Sequence, residues 1–355
     1  MTVYLTGLAT AVPPHILPQD AVYRKALDIL IARYPRFAHM TSVFENAGVD
    51  RRYSLVPLEW FEEPKGWTDR NGHFVEAGQK LYAECARKTL QSAGLRAEDI
   101  DTIVTVSSTG IATPTFEALV WKELGFRNDV WRVPVFGLGC AGGVSGLEIA
   151  RTMAAAKPGS NVLMIALEAC TLSFRSEKIS KADMVATVLF GDGAAGAVLS
   201  TNSGGDLSSN IAMGEGHQHL WEDTIDIMGW RVDEDGLGVV FDRSIPTFAE
   251  EHFAEAANGA LKAMGIALDD IDRFVCHPGG VKVVEALERT LNLNHGSLDA
   301  ERAVLRDYGN MSAPTALFVL KHVLEQGASG SMVMTALGPG FTASFLPLTL
   351  RPKEV

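Results

Sequence analysis

The chain has 355 residues, of which 47% are hydrophobic and 21% are charged, and its formal net charge is -12 at pH 7. The length favours two domains or two fused halves, and the acidic balance argues against nucleic acid, which requires clustered Lys and Arg. No segment is apolar for long enough to span a membrane, and the first residues lack a secretory signal pattern. We therefore expect a globular, cytoplasmic protein.

A helix, an acidic turn and a strand form the first strong pattern along the chain. Residues 80–95 have the apolar spacing of a helix that closes at Gly94. The acidic turn at 98–101 leads into a β-rich segment at 102–106. This order predicts one α/β unit.

The same pattern returns in the second half of the chain. Residues 251–266 form the second predicted helix, with Gly265 near its end, and Asp272 precedes a predicted strand at 273–276. A joint match of helix, glycine stop, acidic turn and strand indicates duplication rather than chance. We therefore predict two homologous halves.

Other strand-like and helical segments alternate along the chain. The strand-like segments are 131–136, 161–166 and 194–199, and the helical segments are 144–156, 181–190 and 315–324. This alternation predicts an α/β fold of layered sheets with helical cover, with one sheet in each half. The polar segment 200–206 is the predicted junction, which gives an N-terminal half at 1–205 and a C-terminal half at 206–355.

The cysteines indicate neither a disulfide framework nor a zinc site. They are Cys85, Cys140, Cys170 and Cys276, and no two form a C-x-x-C pair. His217 and His219 could face one side of a strand, but a catalytic zinc normally has three protein ligands. We predict reduced thiols and no metal.

Cys140 lies between a predicted strand and a predicted helix, in the sequence Gly137-Leu-Gly-Cys-Ala-Gly-Gly143. A thiol at a helix N-terminus has a lowered pKa, because free N–H groups and the helix dipole stabilise the thiolate. The small neighbours leave room for a thioester to reach the sulfur. We predict that Cys140 is a nucleophile and that Cys85 and Cys276 are buried structural cysteines.

His277 and Asn310 are the candidate partners of this thiol. His277 follows a predicted strand and precedes Pro278-Gly-Gly280, at a strand end where α/β proteins place reactive side chains. Asn310 precedes a predicted helix, and taken alone it is better interpreted as the cap of that helix. A cysteine with a distant His and Asn supplies the nucleophile, proton acceptor and oxyanion donor of acyl transfer.

Together these residues resemble the thiolase superfamily and, within it, the type III polyketide synthases, the chalcone synthase-like enzymes. The resemblance covers essentially the whole chain and looks closest to the bacterial members. Its carriers are Gly139-Cys140, Phe190-Gly-Asp-Gly-Ala-Ala195, His277-Pro-Gly-Gly280, Tyr308-Gly-Asn-Met-Ser312 and Gly338-Pro-Gly340. It implies a homodimer with a thiolase fold, in which the duplicated halves form αβαβα layers.

The resemblance implies catalysis by Cys140, His277 and Asn310. An acyl starter is loaded on Cys140, malonyl-CoA is decarboxylated to an enolate, and Claisen attack on the acyl-cysteine extends the chain. His277 and Asn310 are expected to stabilise the enolate, and His277 is expected to hold the Cys140 thiolate as an ion pair. Coenzyme A thioesters are the expected substrates, and no cofactor is expected.

The resemblance also assigns residues to the substrate cavity. Phe190 matches a gating phenylalanine, and Val239 replaces a second one, which is expected to widen the passage. Ser108, Glu168 and Ser312 match a hydrogen-bonded network that activates water and steers ring closure in some relatives. The other expected cavity residues are Cys170, Ser173, Gly338, Pro339, Gly340 and Thr113. Of these, Thr113 is expected to approach the cavity of the partner subunit.

The expected starter is a medium- or long-chain fatty acyl thioester, and the expected product is an alkylpyrone or alkylresorcinol. The residues that grip coenzyme A in plant enzymes are replaced here by His39, Ser42 and Asn46. Arg51 and Arg52 remain as candidate contacts to its phosphates. Delivery of the starter by an acyl carrier protein instead of acyl-CoA therefore stays open.

Two other functions are alternatives to this one. A ketoacyl synthase III-like enzyme would perform one condensation and release a linear product, but such enzymes typically have His-Gln-Ala-Asn at residues 277–280. A non-catalytic, acyl-binding partner with a thiolase fold would not decarboxylate malonyl-CoA. The complete set of Cys140, His277 and Asn310 argues against it.

Overall fold

The computed structural model describes residues 1–30, 42–202 and 211–350. The β-strands in these ranges are β1 (Val3–Ala11), β2 (His15–Pro18), β3 (Arg51–Ser54), β4 (Thr102–Val106), β5 (Trp131–Val135), β6 (Asn161–Ala169), β7 (Asp192–Ser200), β8 (Ile211–Met213), β9 (His217–Leu220), β10 (Met228–Asp233), β11 (Gly236–Phe241), β12 (Arg273–Cys276), β13 (Gly330–Gly338) and β14 (Thr342–Leu350). The α-helices are α1 (Gln19–Leu30), α2 (Ser42–Glu45), α3 (Trp67–Ala93), α4 (Phe116–Leu119), α5 (Trp121–Leu124), α6 (Gly142–Ala156), α7 (Lys181–Leu189), α8 (Ile245–Met264), α9 (Val281–Thr290), α10 (Asp299–Tyr308) and α11 (Pro314–Glu325).

Both halves of the described chain contribute strands to one 10-stranded mixed sheet. Its order is β12-β13-β14-β8-β1-β7-β6-β4-β5, with β9 beside β14. The prediction of a separate sheet in each half is therefore wrong. The short strand β8 pairs with β1 on one side and with β14 on the other, and so joins two strand edges that would otherwise be unpaired.

Helices separate the two halves of this sheet and cover its outer faces. α6 and α11 pack against each other and against strands of both halves, around apolar side chains such as Leu147, Met164, Leu320 and Met334. α3 covers the strands of the N-terminal half, and α8 and α9 cover those of the C-terminal half. The predicted α/β fold with αβαβα layers is confirmed.

Asp101 and Asp272 occupy equivalent positions in the two halves. The carboxylate of Asp101 accepts a hydrogen bond of 3.0 Å from the N–H of Asn161, at the start of β6. The carboxylate of Asp272 accepts one of 2.7 Å from the N–H of Ser331, in the corresponding strand β13. In each half the preceding helix ends at a glycine in the left-handed region, with φ of 65° and 70°. The predicted duplication is therefore confirmed.

Some predictions fall on residues that the structure leaves undescribed. The junction predicted at 200–206 runs into the undescribed range 203–210, so the boundary between residues 205 and 206 stays a prediction. His39 lies in the undescribed range 31–41. Among the helices of the described ranges, none is both long and apolar enough to cross a membrane.

Candidate active site

Cys140 lies in a single 3₁₀ turn that leads directly into α6, as its position between a strand and a helix predicted. The loop around Pro339 packs closely on this turn. Gly139 has a φ of +46°, and a Cβ added to it would lie 2.7 Å from the ring of Pro339. A Cβ added to Gly338 would lie 2.6 Å from the Cβ of Ala141. These glycines therefore allow the contact that holds the turn in place.

His277 and Asn310 line the same small cavity as Cys140. His277 follows the last residue of β12, and Asn310 lies between α10 and α11. The Sγ atom of Cys140 is 4.0 Å from Oδ1 of Asn310, and the side chains of His277 and Asn310 are buried. The fold thus brings together the three residues that the sequence singled out.

Two backbone groups fix the orientation of the Asn310 amide. Its Oδ1 accepts the N–H of Ser312 at 2.8 Å, and its Nδ2 donates to the carbonyl of Gly279 at 3.2 Å. The amide has a second N–H, which can serve a ligand in the cavity. Since α11 begins at Pro314 and has no side-chain cap, the capping role that the sequence favoured for Asn310 is wrong.

Desolvation keeps both the half-buried thiol of Cys140 and the buried ring of His277 neutral at pH 7. It raises the pKa of the Cys140 thiol to about 11, although hydrogen bonds with Ser312 and Asn310 oppose the shift. It lowers the pKa of His277 to about 4, and neither ring nitrogen has a hydrogen-bond partner in the described part of the chain. These directions contradict the predicted low pKa of Cys140 and its predicted ion pair, because desolvation outweighs the effect of the helix N-terminus.

Glu168 accepts hydrogen bonds at one carboxylate oxygen, Oε2. The donors are the backbone N–H of Ser108 at 2.9 Å and the hydroxyl of Thr109 at 2.7 Å. The other oxygen has no partner among the described residues, and burial raises the pKa of Glu168 to about 8. Ser312, the third predicted member of this network, bonds to Cys140 instead. Thr109 was not predicted as a member of this network, although it directly follows Ser108.

A second cavity, larger than the first, lies beside Phe190 and is called the large cavity below. Four of the predicted cavity residues line it, namely Cys170, Ser173, Phe190 and Val239. Its other walls are mainly apolar and include Leu17, Val22, Ala26, Ile29, Leu58, Phe61 and Phe174. Such a space suits an apolar chain.

Asn310 lines the small cavity, and Phe190 lines the large one. Phe190 pairs with Asn310 through its backbone and so forms the wall between the two cavities, the dividing wall. Its ring lies 6.3 Å from the ring of Trp230, edge to face, and Trp230 faces Val239 across the β10–β11 hairpin. The space that Val239 leaves therefore adjoins a second aromatic ring. Trp230 was not predicted as a site residue, although Asp235-Gly236 is a dipeptide typical of hairpin turns.

The structure separates the two arginines that were predicted to bind coenzyme A phosphates. Arg51 is exposed and forms an ion pair with Asp307 at 3.4 Å. Arg52 is only 2% exposed and lines the large cavity, because alternate residues of β3 face inward. The prediction that Arg52 contacts the phosphates of coenzyme A at the surface is therefore wrong. Thr113 is exposed and lines neither cavity of its own subunit.

A duplicated α/β fold that gathers a cysteine, a histidine and an asparagine beside an apolar cavity defines a condensing, acyl-transferring enzyme. Models of the chalcone and stilbene synthases match most of the chain, the N-terminal domain at residues 2–203 and the C-terminal domain at 213–349. The chain belongs to the chalcone and stilbene synthase family, the type III polyketide synthases.

Individual relatives match along nearly the whole chain. The 1,3,6,8-tetrahydroxynaphthalene synthase of Streptomyces peucetius subsp. caesius is 34% identical over 97% of this chain and 92% of its own length. The 3,5-dihydroxyphenylacetyl-CoA synthase of Amycolatopsis balhimycina is 30% identical over 95% of this chain and 90% of its own. The crystal structure of 1,3,6,8-tetrahydroxynaphthalene synthase from Streptomyces coelicolor A3(2) has a TM-score of 0.92 at 26% identity, over 98% of this chain and 99% of that one.

Proposed function

We propose that the enzyme loads a medium- or long-chain fatty acyl group on Cys140, extends it iteratively with malonyl-CoA, and cyclises the product to an alkylpyrone or alkylresorcinol. The large cavity beside Phe190 carries this proposal, because its aliphatic and aromatic walls suit an alkyl tail. A chain attached to Cys140 would enter it by displacing the ring of Phe190.

The reaction begins with acyl transfer from the starter thioester. His277 is neutral at pH 7, so it can accept the thiol proton as the sulfur of Cys140 attacks the thioester carbonyl. The bond between the carrier sulfur and the acyl carbon then breaks. The carrier leaves as a thiol with the proton that His277 held, and the acyl group stays on Cys140.

The condensation step uses the hydrogen-bond donors of the same cavity. Malonyl-CoA loses carbon dioxide, and the electron pair of the broken C–C bond moves onto its thioester oxygen. That oxygen takes hydrogen bonds from Nδ2–H of Asn310 and from the N–H of neutral His277. The enolate carbon then attacks the acyl carbon on Cys140, the thiolate leaves, and the chain is two carbons longer on coenzyme A.

Two further parts of the proposal concern partners. Malonyl-CoA delivers the extension unit, and the starter arrives on coenzyme A or on an acyl carrier protein, with Arg51 as an exposed candidate contact.

The enzyme works as a homodimer in which Thr113 approaches the cavity of the partner subunit. Two exposed apolar residues support this assembly, Trp131 at the start of the edge strand β5 and Phe136 directly after its end.

Mass spectrometry of products tests the proposed starter. The purified enzyme is given malonyl-CoA with acyl-CoA starters of increasing length, beside Cys140→Ala. We expect pyrones or resorcinols from the long starters and none from the variant. Aromatic or short starters alone would refute the fatty acyl proposal, and a linear product with one extension would favour a ketoacyl synthase.

A matched pair of variants tests the place of the alkyl tail. Ala26 lines the large cavity, whereas Ala21 lies on the same helix, α1, outside the cavity wall. Ala26→Phe is expected to abolish products from long starters and to keep those from short ones. Ala21→Phe is expected to behave as the wild type. Equal loss of long and short starters in Ala26→Phe would refute this placement.

A further inference from the structure

Arg52 is a buried cation whose donors lack an acceptor. Its side chain is 2% exposed, and among the described residues neither Nε nor Nη1 has a hydrogen-bond partner. An unpaired buried charge costs several kcal/mol in real proteins, and buried polar groups are nearly always paired. The guanidinium also stays protonated in proteins, so neutralisation does not relieve the cost. A ligand oxygen would relieve it.

Asp192 acts on Arg52 only at a distance. Its negative charge favours the protonated guanidinium, but the two side chains form no ion pair in the described structure. Oδ1 of Asp192 accepts the N–H of Thr171, and Oδ2 accepts the Thr171 hydroxyl and the N–H of Leu55. The carboxylate is therefore occupied by other donors, and Nε and Nη1 of Arg52 have no acceptor among the described residues.

The other charged groups along the large cavity are already engaged. Lys25 forms an ion pair with Glu62 at 2.5 Å. Asp183 accepts the hydroxyl of Ser180 at 2.6 Å and lies 3.9 Å from Arg175. Arg52 is thus the cation of this cavity, in the described part of the chain, that lacks an acidic partner at contact distance.

Arg52 lies at the end of the cavity nearest the catalytic residues. The Cβ of Arg52 packs closely on two glycines. A Cβ added to Gly191 would lie 3.2 Å from it, and a Cβ added to Gly309 would lie 3.4 Å from it. These glycines adjoin Phe190 and Asn310, whose backbones are paired. The base of the Arg52 side chain therefore lies next to Phe190 and Asn310, and Arg52 shares the cavity lining with apolar side chains of α1.

We propose that Arg52 forms an oxyanion subsite, which binds the keto and enolate oxygens of the growing poly-β-keto chain. The inference rests on the proposed function, because a chain on Cys140 carries its newest carbonyl groups nearest the sulfur and its alkyl tail farthest away. The position of Arg52 beside the dividing wall matches the oxygenated part of such a chain. The apolar lining matches the tail.

The chemistry of a 1,3-diketone suits this subsite. The carbon between the two carbonyl groups loses a proton to water readily, since the electron pair left behind spreads over both oxygens. A guanidinium stabilises the resulting enolate by charge-assisted hydrogen bonds. Arg52 would thereby hold chains of two or more extensions in place for ring closure, and so favour cyclised products.

Ultraviolet titration of tridecane-2,4-dione with the wild-type enzyme tests the subsite directly. This probe has an alkyl tail and one 1,3-diketone, and it lacks a thioester. Binding is expected to lower the pKa of the dione by at least about one unit, a factor of ten in ionisation. Arg52→Met is expected to remove this shift, and Arg52→Lys to keep part of it. The control Arg306→Met removes an exposed arginine that pairs with Asp307 and should keep the full shift.

A second experiment compares two ligands on the wild-type enzyme, so its result does not depend on whether a variant folds. Tridecan-2-one has the same tail and a single carbonyl group, so it should bind at least about tenfold more weakly than the dione at pH 8. Equal binding of the two ligands, or an unchanged dione pKa on the wild-type enzyme, would overturn the inference.

The subsite and the proposed starter can fail separately, because the dione titration requires no turnover. A lowered dione pKa without any product from long-chain starters would keep the Arg52 subsite and refute the starter. In turnover, Arg52→Met should acylate Cys140 at the wild-type rate and form at least about tenfold less of the products with two or more extensions. An unchanged product ratio in a folded variant would overturn the inference.

Discussion

The backbones of Phe190 and Asn310 are paired, so the residue that divides the two cavities and the amide beside Cys140 belong to one hydrogen-bonded unit. The N–H of Gly191 donates to the carbonyl of Asn310 at 3.0 Å, and the N–H of Asn310 donates to that of Leu189 at 2.7 Å. The Phe190 ring can therefore change its rotamer while the amide keeps its place. Selectivity for the chain and stabilisation of the enolate are thus separable by mutation.

Replacement of Asn310 by alanine tests the second of these functions. The variant lacks the Nδ2–H donor, so decarboxylation of malonyl-CoA should slow by about 10²–10³. Acylation of Cys140 should stay close to the wild-type rate. Release of labelled carbon dioxide and the mass of the acylated protein measure the two steps. Asn294→Ala, at an exposed position, is the control, and wild-type decarboxylation by Asn310→Ala would refute the assignment.

The protonation states of Cys140 and His277 predict how alkylation of the free enzyme depends on pH. With the thiol pKa at about 11, the thiolate fraction and the rate with iodoacetamide should rise about tenfold per pH unit between pH 7 and 10. Since His277 charges only near pH 4, no inflection is expected around pH 6.5. Cys140→Ala gives the background rate. A plateau between pH 5 and 8 would instead reveal a thiolate–imidazolium pair.

The fold and the three catalytic candidates could be predicted because their signals are local in sequence. The acidic turns before Asp101 and Asp272 repeat with their helices and glycine stops, and the repeat survives as matching hydrogen bonds in the structure. Cys140, His277 and Asn310 each lie in a short glycine-rich motif. The continuous sheet could not be predicted, because it depends on which strand edges the short strand β8 meets.

Trp230 was not predicted, and the surroundings of Arg52 and Cys140 were predicted wrongly, because all three depend on pairing and packing between distant segments. Trp230 contacts Phe190 only because the β10–β11 hairpin folds over the dividing wall. Arg52 differs from its neighbour Arg51 only in the face of β3 that it occupies. The pKa of Cys140 followed burial rather than its place before a helix, and burial is a property of the whole fold.

Glu168 should make the stability of the enzyme depend on pH. Its pKa is raised from 4.5 to about 8 in the folded state, so between these values the unfolded chain releases a proton that the folded chain keeps. The free energy of unfolding then falls as the pH rises, by up to about 1.4 kcal/mol per unit. Glu168→Gln lacks this contribution of Glu168 to the pH dependence. The free energy of unfolding of the variant, relative to that of the wild type, should therefore rise with pH up to about pH 8. Urea unfolding at several pH values measures it.

The exposed residue Glu76 provides the control for this experiment. Its carboxylate pairs with Lys80 on the surface of α3, and its side chain is 76% exposed. Glu76→Gln should keep the wild-type dependence on pH. The same slope in Glu168→Gln and in the wild type would show that Glu168 is ionised in the folded protein.

Val239→Phe should narrow the passage along the wall of the large cavity that Val239 and Phe190 share. The added ring would lie across the hairpin from Trp230 and beside Phe190, in space that a long acyl chain requires. We expect kcat/KM to fall at least about tenfold for long-chain acyl-CoA and to change little for acetyl-CoA. Val232→Phe, at a position 72% exposed on β10, controls for added apolar surface. An equal effect on both starters would contradict a steric gate.

The edge strand β5 predicts the surface through which the proposed homodimer would form. Trp131 and Phe136 are 67% and 61% exposed, and β4 is the neighbour of β5 in the sheet. An apolar, unpaired edge favours association with another chain. The double variant Trp131→Glu and Phe136→Glu should sediment as a monomer at micromolar concentration, whereas the wild type and Val232→Glu should sediment as dimers. Because Thr113 is expected to approach the cavity of the partner subunit, the monomer should also form a different ratio of products. A wild-type monomer would refute the assembly, and a dimeric double variant would place the interface elsewhere.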